Sequence, residues 1–241
     1  MTGFALVHGA GDVGSYWHLV EAELRSRGHV TVAPDLPAGD DTLTLTDYRD
    51  TVLAAAGDVE PQPDAWVVVG QSFGAFTAPL VAERLDADAV VLVAGMVPTP
   101  GERPDDWWEH VGYAAAAAEQ ADLDGGLTGS DDPYVSFYAD VPRGLAAEAL
   151  SHERAHPSPA AGSAPWPLTT WPRAAVTSVV CTRDHFLPPA LQRRLARDRL
   201  GVEPVELDAG HCAALSRPVE LADLLEAAAG RARPGGAHPG G

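Results

Sequence analysis

The chain has 241 residues, 46% of them hydrophobic, and 34 Asp and Glu against 16 Lys and Arg give a formal charge of −18. The length suits one α/β domain with an insertion, and the acidity argues against nucleic acid, because phosphate binding needs a cationic face. No stretch approaches the roughly 20 uninterrupted apolar residues of a membrane-spanning helix.

Met1-Thr2-Gly3 runs directly into apolar residues with no basic region before them, so a cytoplasmic protein is expected. Cys181 and Cys212 read as free thiols in a reducing compartment. Phe4-Ala5-Leu6-Val7 reads as a first buried strand ending in the small-residue turn His8-Gly9-Ala10-Gly11. Trp17 to Arg27 is an amphipathic helix with Gly28 as its stop. Val30 to Ala33 is a second strand. Thr46 is placed as the cap of a helix running to about Ala56.

Trp66-Val67-Val68-Val69 is short, apolar and largely β-branched, which suits a strand buried on both faces. It runs into Gly70-Gln71-Ser72-Phe73-Gly74. The pattern G-x-S-x-G describes a sharp strand-to-helix turn with serine at its tip. The turn strains the serine backbone, and side chains at the glycine positions would collide with neighbouring chain. Ala75 to Leu85 has helical spacing, so Ser72 sits at a helix N-terminus, where N–H groups point outward. Ala89 to Ala94 is a further apolar strand. Strands alternating with helices imply a parallel sheet with right-handed crossovers.

The alternation stops after Met96. A helix is expected from Trp107 to Ala121, another from Gly144 to Ala155, and loop from 157 to 172. The aromatics Trp107, Trp108, Tyr113, Tyr134, Phe137, Tyr138, Trp166 and Trp171 concentrate in this segment. Residues 97–172 therefore read as a helical cap inserted after the fourth strand. Gly9, Trp17, Met96, Trp107 and Tyr138 are the candidate pocket residues. Strands resume at Val176 to Cys181 and Pro204 to Leu207, with helices over Ala190 to Arg199 and Leu215 to Ala229. Residues 1–96 and 173–229 form the expected core, and the Gly- and Pro-rich 230–241 an expected disordered tail.

Loops at the carboxyl ends of strands in an open α/β sheet converge on one crevice. Ser72 follows the central strand, Asp184 the next-to-last strand and His211 the last. Glu102, Asp105 and Asp106 are rival acids that lie farther from a strand end, and Asp208 could serve only by local pairing with His211, which strand geometry makes awkward. The remaining histidines show no ligand spacing, so no metal is expected. No G-x-G-x-x-G follows a strand, and no cofactor is expected.

With these motifs in the order Ser, Asp, His, the chain resembles the α/β-hydrolase superfamily over nearly its whole length. The short N-terminus is similar to its small esterase and hydroxynitrile-lyase branch, which includes plant methyl-ester esterases. Pro165 to His211 and Leu215-Ser216-Arg217-Pro218 resemble actinobacterial hydrolases. The resemblance implies an α/β-hydrolase fold with a mostly parallel six-stranded sheet. It also implies Ser72 as nucleophile, His211 as base, Asp184 as the acid that orients it, and an oxyanion hole from the N–H groups of Ala10 and Phe73. Hydrolysis of a small or medium apolar carboxylic ester through an acyl-serine is the leading expectation, with a small-molecule substrate and neither nucleic acid nor membrane as partner. A lyase reaction such as cyanohydrin cleavage is an alternative. The similar lyases carry lysine after the histidine and threonine after the first-strand histidine, where this chain has Cys212 and Gly9. A small-molecule receptor is the other alternative.

Overall fold

The computed structural model describes residues 1–152 and 157–232. Six strands form one sheet: β1 (Thr2–Val7), β2 (Val30–Val32), β3 (Ala65–Gln71), β4 (Ala89–Val93), β5 (Ala175–Cys181) and β6 (Val205–Leu207). Their order is β2-β1-β3-β4-β5-β6, and every pairing is parallel. The order reverses between β1 and β3, which opens a crevice at their carboxyl ends.

The continuous apolar runs follow from burial on both faces. Ala5, Val7, Val68, Val90 and Leu92 point to one core, and Phe4, Leu6, Val67, Val69 and Val91 to the other. Helices α2 (Leu45–Gly57), α3 (Gly74–Leu85) and α9 (Pro189–Leu200) cover the first face. Helices α1 (His18–Ser26), α10 (Ala213–Ser216) and α11 (Pro218–Ala232) cover the second.

Several element boundaries differ from the sequence reading, each for a local reason. Thr44, not Thr46, caps α2: its side chain accepts from the Thr46 N–H, while Asp47 Oδ2 accepts from the Thr44 N–H at 2.8 Å. The helix expected from Trp107 to Ala121 is two, α4 (Pro104–His110) and α5 (Tyr113–Asp124), separated at Gly112 with φ +65°. The expected 157–172 loop contains the short helix α8 (Pro159–Ser163). The closing helix is broken before Pro218, which lacks an N–H and begins α11. Gly230 to Ala232, expected to belong to the tail, instead finish α11; the rest of the expected tail, 233–241, lies outside the described residues. The helix expected over Gly144 to Ala155 is α7 (Arg143–His152), and 153–155 also lie outside them.

Between β4 and β5 run α4, α5, α6 (Pro133–Ser136), α7 and α8, with no strand among the described residues there. This insertion is fastened to the first core. Trp166 donates its indole N–H to the Phe76 carbonyl of α3 at 2.8 Å. Glu102, buried, accepts from Arg199 of α9 at 2.6 and 3.0 Å, and Nδ1 of His110 lies 2.9 Å from it. Arg199 also donates to the Val97 carbonyl at 2.7 Å. Among the described residues no helix is long and apolar enough to cross a membrane.

Removing one member of a buried ion pair strands the other's charge. Replacement of Arg199 by Met is therefore expected to cost about 3 kcal/mol of folding stability, measured by urea denaturation. A change near zero would show that the Glu102 network does not hold the insertion to α9.

Candidate active site

The turn after β3 carries Ser72 with φ +50°, a left-handed conformation that costs a non-glycine residue about 1–3 kcal/mol. Its surroundings hold it there. Its N–H donates to the Val93 carbonyl at 3.1 Å, and its carbonyl accepts from Ala75 at 3.1 Å and Met96 at 3.0 Å. Gly74 passes so close to β1 that a Cβ would lie 2.6 Å from the Val7 oxygen, and one on Gly70 would meet the Gly74 oxygen at 2.7 Å. Both glycines of the motif are required by the tight packing of strand against helix.

Asp184 lies in the loop after β5, almost fully buried. Oδ1 accepts the N–H groups of Phe186 and Leu187, both at 2.8 Å. Oδ2 accepts from Gln192 Nε2 at 2.9 Å and lies 2.7 Å from Nδ1 of His211. With three N–H donors already on its two oxygens, the carboxyl group acts as an acceptor, so Nδ1 of His211 carries a hydrogen. Nε2 of the neutral ring is then left as an acceptor. Phe186 and Phe137 pack edge-on against that ring at centroid distances of 5.0 and 5.5 Å, which limits its rotation.

Ser72 and His211 border one cavity of about 230 Å³. Ala10 and Phe73 line it beside Ser72. Met96 and Tyr138 also line it, as the sequence reading placed them. Three of the candidate pocket residues do not. Trp17 is fully buried in the second core with Phe4 and Leu6, because the 3₁₀ turn Gly14–Trp17 folds it under the sheet. Trp107 is fully buried and donates its indole N–H to the Val97 carbonyl at 3.0 Å. Its neighbour Trp108, one helical step of about 100° further round, lines the cavity instead. Gly9 packs behind the Ser72 turn, where a Cβ would collide with Gln71 Oε1.

Of the rival acids, Glu102 is engaged by Arg199, Asp106 by Arg103 at 2.6 Å and Asp208 by Arg183 at 2.7 Å. Asp105 lines the cavity. His8 shapes the first loop: Nε2 accepts the Leu36 N–H at 3.0 Å, so Nδ1 donates to the Gly9 carbonyl at 2.9 Å.

Sequence reasoning missed Gln192, whose side chain links three groups. Its amide nitrogen serves Asp184 and the Leu187 carbonyl, and its oxygen accepts the Cys181 N–H at 3.0 Å. The signal was present, since Gln192 interrupts the otherwise apolar buried stripe of α9, Leu191, Leu195 and Ala196. It also missed Phe186 and Gln71 on the cavity wall. Among the described residues no group of three or more His, Cys, Asp or Glu is arranged to hold a metal ion.

Both cysteines are buried, and Cys212 lines the cavity beside His211. Burial pushes both thiols well above their ordinary pKa; Asp12 adds to the effect at Cys212 and Asp184 at Cys181. A raised pKa leaves the thiol neutral, and the neutral thiol is a poor nucleophile. At about pH 8, where ordinary thiols begin to ionise, a disulfide reagent such as DTNB should react slowly with the folded chain and promptly with both thiols after unfolding. Prompt reaction in the folded chain would contradict the burial.

A model of the Alpha/beta hydrolase family matches residues 4–224. Methylesterase 7 of Arabidopsis thaliana is 26% identical over 92% of this chain and 94% of its own length. The crystal structure of polyneuridine aldehyde esterase superposes with a TM-score of 0.77 at 19% identity, covering 95% of this chain and 99% of that one. A pyrethroid hydrolase from Sphingobium faniae JZ-2 superposes with a TM-score of 0.70 at 21% identity, covering 94% and 96%. The match of the family model over nearly the whole length, on a parallel sheet whose loops carry Ser72, Asp184 and His211, makes this chain a member of the alpha/beta hydrolase family.

Proposed function

We propose that the protein is a serine-dependent carboxylic ester hydrolase acting on a small or medium, largely apolar ester. The observation that carries the reading is the His211–Asp184 hydrogen bond of 2.7 Å in the wall of the cavity that also holds Ser72 at the tip of its strained turn. Esterases among the relatives, Methylesterase 7 and polyneuridine aldehyde esterase, add weight to ester chemistry. The cavity wall supports an apolar substrate: Met96, Trp108, Phe137, Tyr138, Leu150 and Phe186 contribute to it. No Lys or Arg lines it among the described residues, so a strongly anionic substrate would find no counter-charge there.

In this reading Nε2 of His211 takes the proton of the Ser72 hydroxyl as Oγ attacks the ester carbonyl carbon. Asp184 holds the ring in the tautomer with hydrogen on Nδ1 and stabilises the imidazolium that forms. The backbone N–H groups of Ala10 and Phe73 bind the tetrahedral oxyanion, a role in which one donor is typically worth about 3 kcal/mol. The intermediate collapses, and the alkoxide leaves with the proton from His211. Water, deprotonated by the same ring, then attacks the acyl-serine and releases the carboxylic acid and a regenerated hydroxyl. The insertion, residues 97–172, serves as a cap, supplying Trp108, Phe137, Tyr138 and Leu150 to the far wall of the cavity.

Replacement of Ser72 by Ala is expected to reduce turnover of an activated aryl ester at least about a thousandfold, the scale set by losing a triad member. A fluorophosphonate should label the unaltered chain at Ser72 and leave the variant unlabelled. Turnover that survives the substitution would remove Ser72 as nucleophile. Labelling without ester turnover would point to a receptor.

A further inference from the structure

The loop that opens with α6 approaches both the acid loop and the base loop. The Val135 carbonyl accepts from Nδ1 of His185 at 3.0 Å, one residue past Asp184. The Phe137 ring meets Phe186 at 4.5 Å as well as the ring of His211. Asp140 reaches the chain just before the histidine, where its Oδ2 accepts the Gly210 N–H at 2.9 Å. Arg183, next to Asp184 on its other side, has Nη2 3.6 Å from the same carboxylate.

The second oxygen of Asp140 is the unusual feature. Oδ1 is buried and makes no hydrogen bond, which is costly for a carboxylate. It presses against Gly210, where an added Cβ would lie 2.6 Å from it. Gly210 is not among the glycines with positive φ. Space beside Asp140, and not backbone freedom, is therefore what glycine provides before His211, and a Cβ there would force the Asp140 carboxylate to shift.

We propose that Asp140, a residue of the insertion, is a positioning residue for His211, fixing the base loop through the Gly210 N–H. The inference rests on the reading of His211 as the general base. Loss of the acceptor frees the peptide next to the imidazole, and a displacement of about 1 Å between base and nucleophile can cost on the order of a hundredfold in rate. Arg183 still holds the loop from the other side, through the Asp208 carboxylate at 2.7 Å and the Asp208 carbonyl at 2.8 Å, so the loop loosens without unfolding. The same segment lends Pro133, Phe137 and Tyr138 to the cavity wall. One side of this segment thus lines the cavity and the other holds the base loop.

The test uses Asp140→Ala, Asp140→Asn, Gly210→Ala and the Ala/Ala double variant, with kcat and KM on an aryl ester and amide hydrogen exchange across residues 208–211. Asp140→Ala should lower kcat by about tenfold or more while KM stays within about twofold, and exchange at Gly210 should quicken at least about tenfold. Asp140→Asn keeps an acceptor oxygen and should recover most of the loss. Gly210→Ala should be damaging alone and nearly harmless once Asp140 is Ala, because the overlap is gone. Unchanged kcat, a rise in KM alone, or losses that multiply in the double variant would overturn the proposal. Should Asp140→Ala fail to fold, Asp140→Asn and Gly210→Ala decide it, an unimpaired Gly210→Ala being fatal. An unaltered chain with no ester turnover and no fluorophosphonate labelling refutes the hydrolase reading; the exchange rates still judge the clamp, and equal rates in Asp140→Ala and the unaltered chain would refute it.

Discussion

The contact between Asp184 and His211 is the constraint on which the site depends. Two loops from neighbouring strands, 27 residues apart in sequence, meet at 2.7 Å. An almost completely buried carboxylate is affordable only because each oxygen is bonded twice. The Phe186 and Leu187 peptides turn back onto the acid three residues after β5, and Gln192 of α9 closes the remaining side. The histidine is fixed in turn by aromatic edges and by one hydrogen bond, which leaves a single nitrogen for the cavity.

The Ser72 turn is arranged on the opposite principle. Ser72 is held in a conformation its own side chain disfavours, and the force holding it is close packing of α3 onto β1 and β3. The strain is sustained by hydrogen bonds to β4 and its following loop, so the serine backbone is determined from both sides. One wall is therefore strained and tightly packed, the other polar and hydrogen-bonded. The sheet brings them together because strand order reverses between β1 and β3.

The insertion does not simply rest on the sheet. Here it shares the core. Trp107 and Trp166 are buried with α3 residues, Glu102 pairs with Arg199 of α9, and Asp140 accepts the Gly210 N–H next to His211. Its aromatic side chains divide between two tasks: Trp107 holds the segment down, and Trp108 and Phe137 face the cavity.

By itself the sequence determined the sheet, the two-faced burial of its strands, the serine turn and the order of the three chemical groups. These are local properties: apolar runs, a five-residue motif and strand ends can be read within a few positions. Tertiary structure alone decided which of the aromatics face the cavity, because a single helical step separates the buried Trp107 from the lining Trp108. It also decided that Thr44 caps α2 and that Gly210 meets a partner 70 residues away, Asp140. A contact across that separation leaves no periodicity or spacing in the chain, and only the packed arrangement of insertion against sheet reveals it.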